Sequence, residues 1–237
     1  MWITIFWGIW NVETLYRLIS LLVGYGFGLF QTAIVISRIQ GFDIRKVGSG
    51  NAGTTNMLRT KGFLDAMLTF FGDFLKAVFA ILLVGAVFKN TAPQMLMLLK
   101  MYAGVGCVLG HDFPFYLGFK GGKGVAATAG VIFAISPIAG ALCILCFFVL
   151  FFPTHLVSVC SLTAYTFFFV QILIMAKTGY FHMEGHFVSE LVSLALIMTV
   201  LCFWQHRSNM KRLLRGEEKK VFLHKKLNDA VRKGEKS

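Results

Sequence analysis

The sequence predicts an all-α integral membrane protein with seven transmembrane helices, some of them short, and three observations carry that expectation. Of the 237 residues 57% are hydrophobic and only 14% are charged, against roughly 25% charged in a soluble globular domain. Two stretches, Gly124 to Phe152 and Leu156 to Ala176, contain no Asp, Glu, Lys, Arg or His. Each reaches or exceeds the ~18 to 20 apolar residues a spanning helix needs. Finally, 18 of the 23 basic residues are gathered into three stretches, and the excess of basic over 11 acidic residues gives a net charge of +12.

The spans follow in order. The first runs from about Leu15 to Ile36, the second from Ala66 to Phe88 and the third from Met95 to about Leu109. The apolar run after Gly124 is too long for one comfortable crossing, and Pro137 interrupts it. Proline removes a backbone donor and clashes with the preceding turn, so the run divides into Val125 to Ser136 and Ile138 to Phe152. Leu156 to Ala176 and Phe187 to Trp204 complete the seven. The segment 1–14 reads as an amino-terminal extension at the interface, with Trp2, Trp7 and Trp10 at headgroup depth. Residues 15–218 form the membrane domain, and 219–237 form a basic tail.

Charge fixes the expected orientation. Arg38 to Lys61 carries five basic residues, Lys120 to Lys123 carries two, and eleven follow His206. With seven crossings and the amino terminus outside, all of these are cytoplasmic, as is the carboxyl terminus, and Arg17, Lys89 and Lys177 lie towards the outer side. Lys76 and Lys100 fall within spans. A basic tail beside so much apolar sequence points to anionic lipid, and no nucleic-acid partner is expected. Four polar elements then share one face: Arg38 to Lys61, His111 to Lys123, the Thr154 to Ser161 corner, and the stretch opening at His206.

Three of these carry motifs. Gly48-Ser49-Gly50-Asn51-Ala52-Gly53-Thr54-Thr55-Asn56, followed by Arg59, combines turns that expose backbone amides with hydroxyl and amide side chains and a guanidinium. By glycine content alone an ordinary polar loop is the better reading. It matches neither a dinucleotide fingerprint nor a Walker motif. Lys120-Gly121-Gly122-Lys123-Gly124 opens a helix, where free N–H groups and the helix dipole favour an anion. His206-Arg207-Ser208-Asn209-Met210-Lys211-Arg212 could present an imidazole, an amide and a guanidinium from neighbouring turns; a solvated basic helix is the simpler reading of that stretch by itself. Within the apolar sequence, Asp73 and Lys76 are one turn apart and suited to pair, and intramembrane charges are functional candidates. Glu190 has no evident partner.

Cys143 and Cys146 form a CxxC pair without a second pair or polar neighbours, so packing is expected and no metal or cofactor. His182 and His186 are read as exposed loop residues of the outer side.

These elements in this order resemble the PlsY family of acyl-phosphate:glycerol-3-phosphate acyltransferases, from about Gly24 to Glu218. The matching residues are GSGNAGTTN with Arg59, GDFLK at Gly72 to Lys76, HDFP followed by FKGGKGVAAT at Phe119 to Thr128, and HRSNMKRLLRGEE from His206. The chain departs from the family pattern at Gly28-Leu29-Phe30-Gln31-Thr32-Ala33, at Ala52 in place of a proline, and at His155 in place of an arginine. The resemblance implies a seven-helix fold in the cell (inner) membrane with its active site facing the cytoplasm. It also implies transfer of a fatty acyl group from acyl phosphate to glycerol-3-phosphate, giving lysophosphatidate and phosphate. Glycerol-3-phosphate, acyl phosphate and membrane lipid are the expected partners, with the soluble enzyme that makes acyl phosphate as a further candidate.

Both substrates carry phosphate. Ser49, Arg59, Lys123, Asn209 and His206 are expected to serve catalysis, and Gly48, Gly50, Asn51, Gly53, Thr55, Asn56, Gly121, Gly122, Gly124, Ser158 and Arg212 to bind phosphate. Asp73, Lys76, His111 and Ser161 are expected to support them. Phosphate is a good leaving group, so no strong protein base is required; the acceptor's own phosphate could take the proton, with His206 and His111 as protein alternatives. Two other readings stand beside this one. An acyl-CoA acyltransferase of the HxxxxD kind would have to use His224 and Asp229. An organic-phosphate transporter could use the same basic loops and the helix broken at Pro137.

Overall fold

The computed structural model describes residues 11–223, and no strand occurs among the described residues. Helix α1 spans Val12–Gly28 and starts at Asn11, whose side chain accepts from the Thr14 amide at 2.8 Å. Helix α2 spans Thr32–Ile39, a short α3 spans Thr54–Thr60, and α4 spans Phe63–Phe88. Then come α5 (Leu96–Asp112), α6 (Val125–Ile135), α7 (Pro137–Thr154), α8 (Val157–Lys177), α9 (Gly185–Gln205) and α10 (Arg207–Leu214). Six stretches are long and apolar enough to cross a membrane, the first taking in α1 and α2 together; Val125–Ile135 is apolar but shorter.

The break at Pro137 falls where proline chemistry puts it: Ser136 is extended, its hydroxyl accepts from the Ala139 amide, and Pro137 opens α7. Two boundaries differ from the sequence reading. The first span is not continuous, because the chain leaves the helix between Gly28 and Thr32. A break in lipid survives only if the freed backbone groups find partners, and here a buried cation from α4 supplies them. The Lys76 ammonium donates to the carbonyls of Gly28 at 3.3 Å and Phe30 at 2.6 Å. Gln31 adds bonds to the Gly28 and His111 carbonyls. The second difference is that α5 continues to Asp112, so His111 and Asp112 end a helix rather than begin a loop.

Helices α1 and α5 meet along a seam without side chains. A methyl group on Gly24 would lie 2.0 Å from the Ala103 carbonyl oxygen, and one on Gly106 would lie 2.1 Å from that of Leu21. Such close approach gains backbone van der Waals contact where the solvent is already apolar. Around the outside, Leu64, Leu68, Phe71, Leu75, Phe79 and Leu82 form an exposed stripe on α4 at spacings of three and four, opposite the buried Asp73, Lys76, Ala80 and Val84. A face this apolar is suited to lipid rather than water.

One end of the bundle gathers Val12, the start of α5 and the start of α9. There Glu190 is paired after all: it receives Arg17 through both oxygens, at 2.8 and 2.9 Å, and the Tyr102 hydroxyl at 2.5 Å. Sequence could not show this because the three residues lie far apart in the chain. The polar loops occupy the opposite end.

Candidate functional site

The loop between α2 and α4 is held in shape from inside. Asn56 is buried, and its amide nitrogen donates to the carbonyls of Ile44 and Val47 while its oxygen accepts the Ser49 amide at 2.8 Å. The turn needs Gly48 at φ +61°, where a side chain would also strike the Asn56 oxygen at 2.2 Å. Asn56 is thus engaged with the loop itself. Ser49 and Gly50 are left exposed, Asn51 and Thr55 half-buried, and Gly53 leads into α3.

The glycines between Lys120 and Lys123 fold back on the end of α5. The Gly121 amide donates to the Asp112 carbonyl at 3.0 Å, and the Gly122 amide to that of His111 at 3.1 Å. These bonds satisfy carbonyls that a helix end leaves without partners. Both amides are thereby engaged within the protein, and Lys123 is the group the turn presents, with Gly124 at φ +69° entering α6. Beneath lies a closed network. The Lys76 ammonium meets Asp73 at 2.9 Å and the His111 Nδ1 at 2.8 Å, and Thr32 donates to Asp73. The expected Asp73–Lys76 pair therefore forms, with His111 as a third member. Ser161 donates to the Val157 carbonyl of its own helix.

The four polar elements meet here. Lys123 donates to the Asn209 side-chain oxygen. The Asn209 amide in turn donates to Glu218, as do the Ser158 hydroxyl at 2.9 Å and the Arg212 Nε at 2.7 Å. Arg59 reaches the same group from α3: its Nη2 donates to the Lys219 carbonyl at 3.0 Å, and its buried Nε has no protein partner. Three cations, from α3, from the turn before α6 and from α10, thus surround one carboxylate.

The electrostatics follow from that crowding. Burial, with Arg212 nearby, pulls the Lys123 ammonium down to about 8. Burial also lowers the Arg59 guanidinium, which keeps its charge because it starts so high. Burial alone would raise the Glu218 carboxyl, but hydrogen bonds from Asn209, Arg212 and Ser158 outweigh it and hold the group below its usual value. His206 is buried, and its Nδ1 lies 2.9 Å from the Cys202 carbonyl. A carbonyl can only accept, so Nδ1 carries the proton and Nε2 keeps a lone pair. Burial and Lys123 push this imidazole down to about 4, which keeps it neutral.

Glu218 is the group the sequence reading missed as a participant, although it stands in the GEE that closes the third motif. The chain after it also belongs to the fold. The Val221 amide donates to the His155 carbonyl, Val221 is fully buried among Ile44, Ala52 and Met57, and Phe222 lies against the His155 ring. The chain therefore packs against the bundle past residue 218 as far as Phe222, and the apolar Val221 side chain completes a small core. Trp2, Trp7, Trp10, His224 and Asp229 lie outside the described residues.

A cavity of about 300 Å³ adjoins the cluster, lined by Asn51, Asp112, Lys120, Lys123, Gln205 and Ser208 among others. A larger depression of about 470 Å³ lies between α1 and α4, but Leu22, Val23, Gly26, Phe27 and Leu83 line it and none carries a polar side chain. Among the described residues no three His, Cys, Asp or Glu side chains stand together as metal ligands.

The fold and site together define an integral membrane protein with a cation-rich polar pocket at one end of its bundle. Comparison with known proteins narrows the class. Residues 18–216 match the family model described as glycerol-3-phosphate acyltransferase. The chain is 36% identical over 206 residues to the glycerol-3-phosphate acyltransferase of Alkaliphilus metalliredigens, covering 86% of this chain and 96% of that one. It is 37% identical over 213 residues to that of Clostridioides difficile, covering 89% and 98%. A crystal structure of PlsY (YgiH), an integral membrane glycerol 3-phosphate acyltransferase in its glycerol 3-phosphate form, superposes with a TM-score of 0.74 at 33% identity, covering 87% of this chain and 96% of the other. The lysophosphatidic acid form gives 0.73 at 31% identity, with the same coverage. The chain belongs to the glycerol-3-phosphate acyltransferase (PlsY) family; it is a membrane-embedded acyltransferase of phospholipid biosynthesis.

Proposed function

We propose that this enzyme moves a fatty acyl group from acyl phosphate to the sn-1 hydroxyl of glycerol-3-phosphate at the cytoplasmic face of a cell membrane. The observation that carries the proposal is the meeting of Arg59, Lys123 and Arg212, from three separate stretches of the chain, beside a polar cavity. Two phosphate groups brought together need such a surplus of positive charge, and the described acidic group at its centre, Glu218, offsets only part of it.

In this reading Arg59, Lys123 and the exposed Ser49 hold phosphate, and Asn209 orients Lys123 through their shared hydrogen bond. Ser158 and Arg212 act through Glu218, which they bind. The sn-1 oxygen attacks the acyl carbonyl, a new C–O ester bond forms, and the bond between carbonyl carbon and phosphate oxygen breaks. Phosphate leaves with the electron pair, so no covalent acyl-enzyme is needed. The hydroxyl proton passes to the acceptor's own phosphate, with the neutral but buried His206 as the protein alternative.

The same arrangement supports seven crossings with the amino terminus outside. Passing along the chain, the helices alternate between the end marked by Arg17, Tyr102 and Glu190 and the end marked by the polar loops. Helix α6, with 11 residues, makes the passage of roughly 16 Å that its length allows, its ends deep in the bundle. A transporter reading would place the polar groups near the midplane, whereas the cation cluster sits at one end.

The test is release of phosphate matched to formation of lysophosphatidate by purified protein supplied with defined acyl phosphates, with palmitoyl-CoA as the contrasting donor. Arg59→Ala and Lys123→Ala are expected to abolish transfer while the protein still inserts and purifies. Full activity in either removes the phosphate-site assignment, and equal use of palmitoyl-CoA removes the donor. Labelling of cysteines placed at Ser49 and Asn209 is expected from the same side of the membrane; labelling from opposite sides removes the topology.

A further inference from the structure

The buried network under the Lys120–Lys123 turn invites a question that its burial alone leaves open: why place a histidine and a lysine there, at the cost of ordering two polar groups away from water? The contacts of His111 suggest the answer. At Nδ1 the ring is anchored by the Lys76 ammonium, which is itself fixed by Asp73 and by the carbonyls of the α1–α2 break. The opposite edge of the ring lies against Gly122. A methyl group on Gly122 would fall 2.0 Å from the His111 Nε2, 2.8 Å from Cε1 and 2.9 Å from Cδ2. The backbone of Gly122 is simultaneously tied to the His111 carbonyl. One residue later comes Lys123.

We propose that His111 is a positioning residue: its ring, pinned by Lys76, is the floor on which Gly122 rests, and it sets the height at which Lys123 meets the acceptor phosphate. The inference rests on the reading of Lys123 as a phosphate ligand. It assigns His111 a steric task distinct from that of a base, and it accounts for the lack of a side chain at Gly122. It also gives the intramembrane lysine a purpose beyond pairing with Asp73, since Lys76 transmits the fixed geometry of the α1–α2 break to the turn.

Second-site suppression tests it. Gly122→Ala forces its new methyl into the ring and displaces Lys123. Misplacement by about 1 Å can cost up to about 100-fold in rate, so the KM for glycerol-3-phosphate is expected to rise on the order of 10-fold or more, with the KM for acyl phosphate changing far less. His111→Asn keeps an acceptor near the Nδ1 position for Lys76 but deletes the far edge of the ring. Alone, it is expected to raise the KM for glycerol-3-phosphate several-fold, because the turn loses its floor, while kcat changes little. Combined with Gly122→Ala it makes room for the methyl, so the double variant should recover at least threefold over Gly122→Ala.

Multiplicative losses in the double variant would overturn the proposal, since uncoupled sites simply add in free energy. So would a wild-type KM in Gly122→Ala. Should Gly122→Ala fail to yield folded protein, an unchanged KM in His111→Asn overturns it alone. A wild-type protein that forms no lysophosphatidate would instead remove the functional reading itself, which keeps the two failures distinct.

Discussion

Replacing Glu218 with glutamine removes one negative charge with almost no change in shape, and its consequence should appear in the pH dependence of catalysis. Asn209 bridges Lys123 and Glu218, accepting from one and donating to the other. Two hydrogen bonds across one amide place the two charges about 6 Å apart. Their attraction is then about 0.7 kcal/mol at the dielectric constant of water and about 2.8 kcal/mol at an effective value of about 20. Because ~1.4 kcal/mol corresponds to one pH unit, losing Glu218 should lower the Lys123 pKa by about half to two pH units.

The sign follows from the charge type. In its proposed role Lys123 holds phosphate as the ammonium, so its contribution is complete below its pKa and lost as pH rises through it. In the native protein that loss centres near about 8; in Glu218→Gln it should begin nearer neutrality. The assay is kcat/KM for glycerol-3-phosphate between pH 6 and 9 in lipid nanodiscs, since that quantity reports groups of the free enzyme. Titration of the substrate is common to both proteins and cancels in their ratio. Thermal unfolding of the same samples shows whether the variant keeps its fold. A folded variant whose profile superposes on the native one would refute the coupling of Glu218 to Lys123.

Other outcomes follow from the same contacts. Glu190→Gln breaks a paired, half-buried cluster far from the polar loops, at a cost of about 1–3 kcal/mol; the melting temperature should fall by a few degrees while kcat and KM stay unchanged. Gly106→Val places a branched side chain where the Leu21 carbonyl leaves only 2.1 Å for its first carbon, so α1 and α5 should separate, read as loss of the monodisperse peak in size-exclusion chromatography. Val221→Asp puts a charge into the small core of Ile44, Ala52 and Met57. It should release the segment after Glu218 and lower transfer at least 10-fold, with loss of protease resistance confined to that segment.

Much of this protein could be read from order and composition because lipid imposes simple rules on a sequence. Length and apolarity marked Leu156 to Ala176 as a span, proline stereochemistry located the division at Ser136, and the distribution of lysine and arginine assigned the polar stretches to one face. The motif residues Arg59, Lys123 and Asn209 carried a resemblance strong enough to indicate the family. What only the tertiary structure decided are relations between residues distant in the chain. The break at Gly28 to Thr32 has no local breaker strong enough to announce it, since it exists because Lys76 arrives from another helix. Asn56 and the amides of Gly121 and Gly122 were indistinguishable in sequence from free donors; folding engages them within the protein. Glu190 looked solitary until α1 and α5 brought Arg17 and Tyr102 beside it, and Glu218 looked like the last residue of a motif until separate stretches of the chain closed around it. Hydrophobic thickness and backbone chemistry act along the chain and leave their mark in its pattern, whereas the partner of a buried charge is settled only when the helices pack.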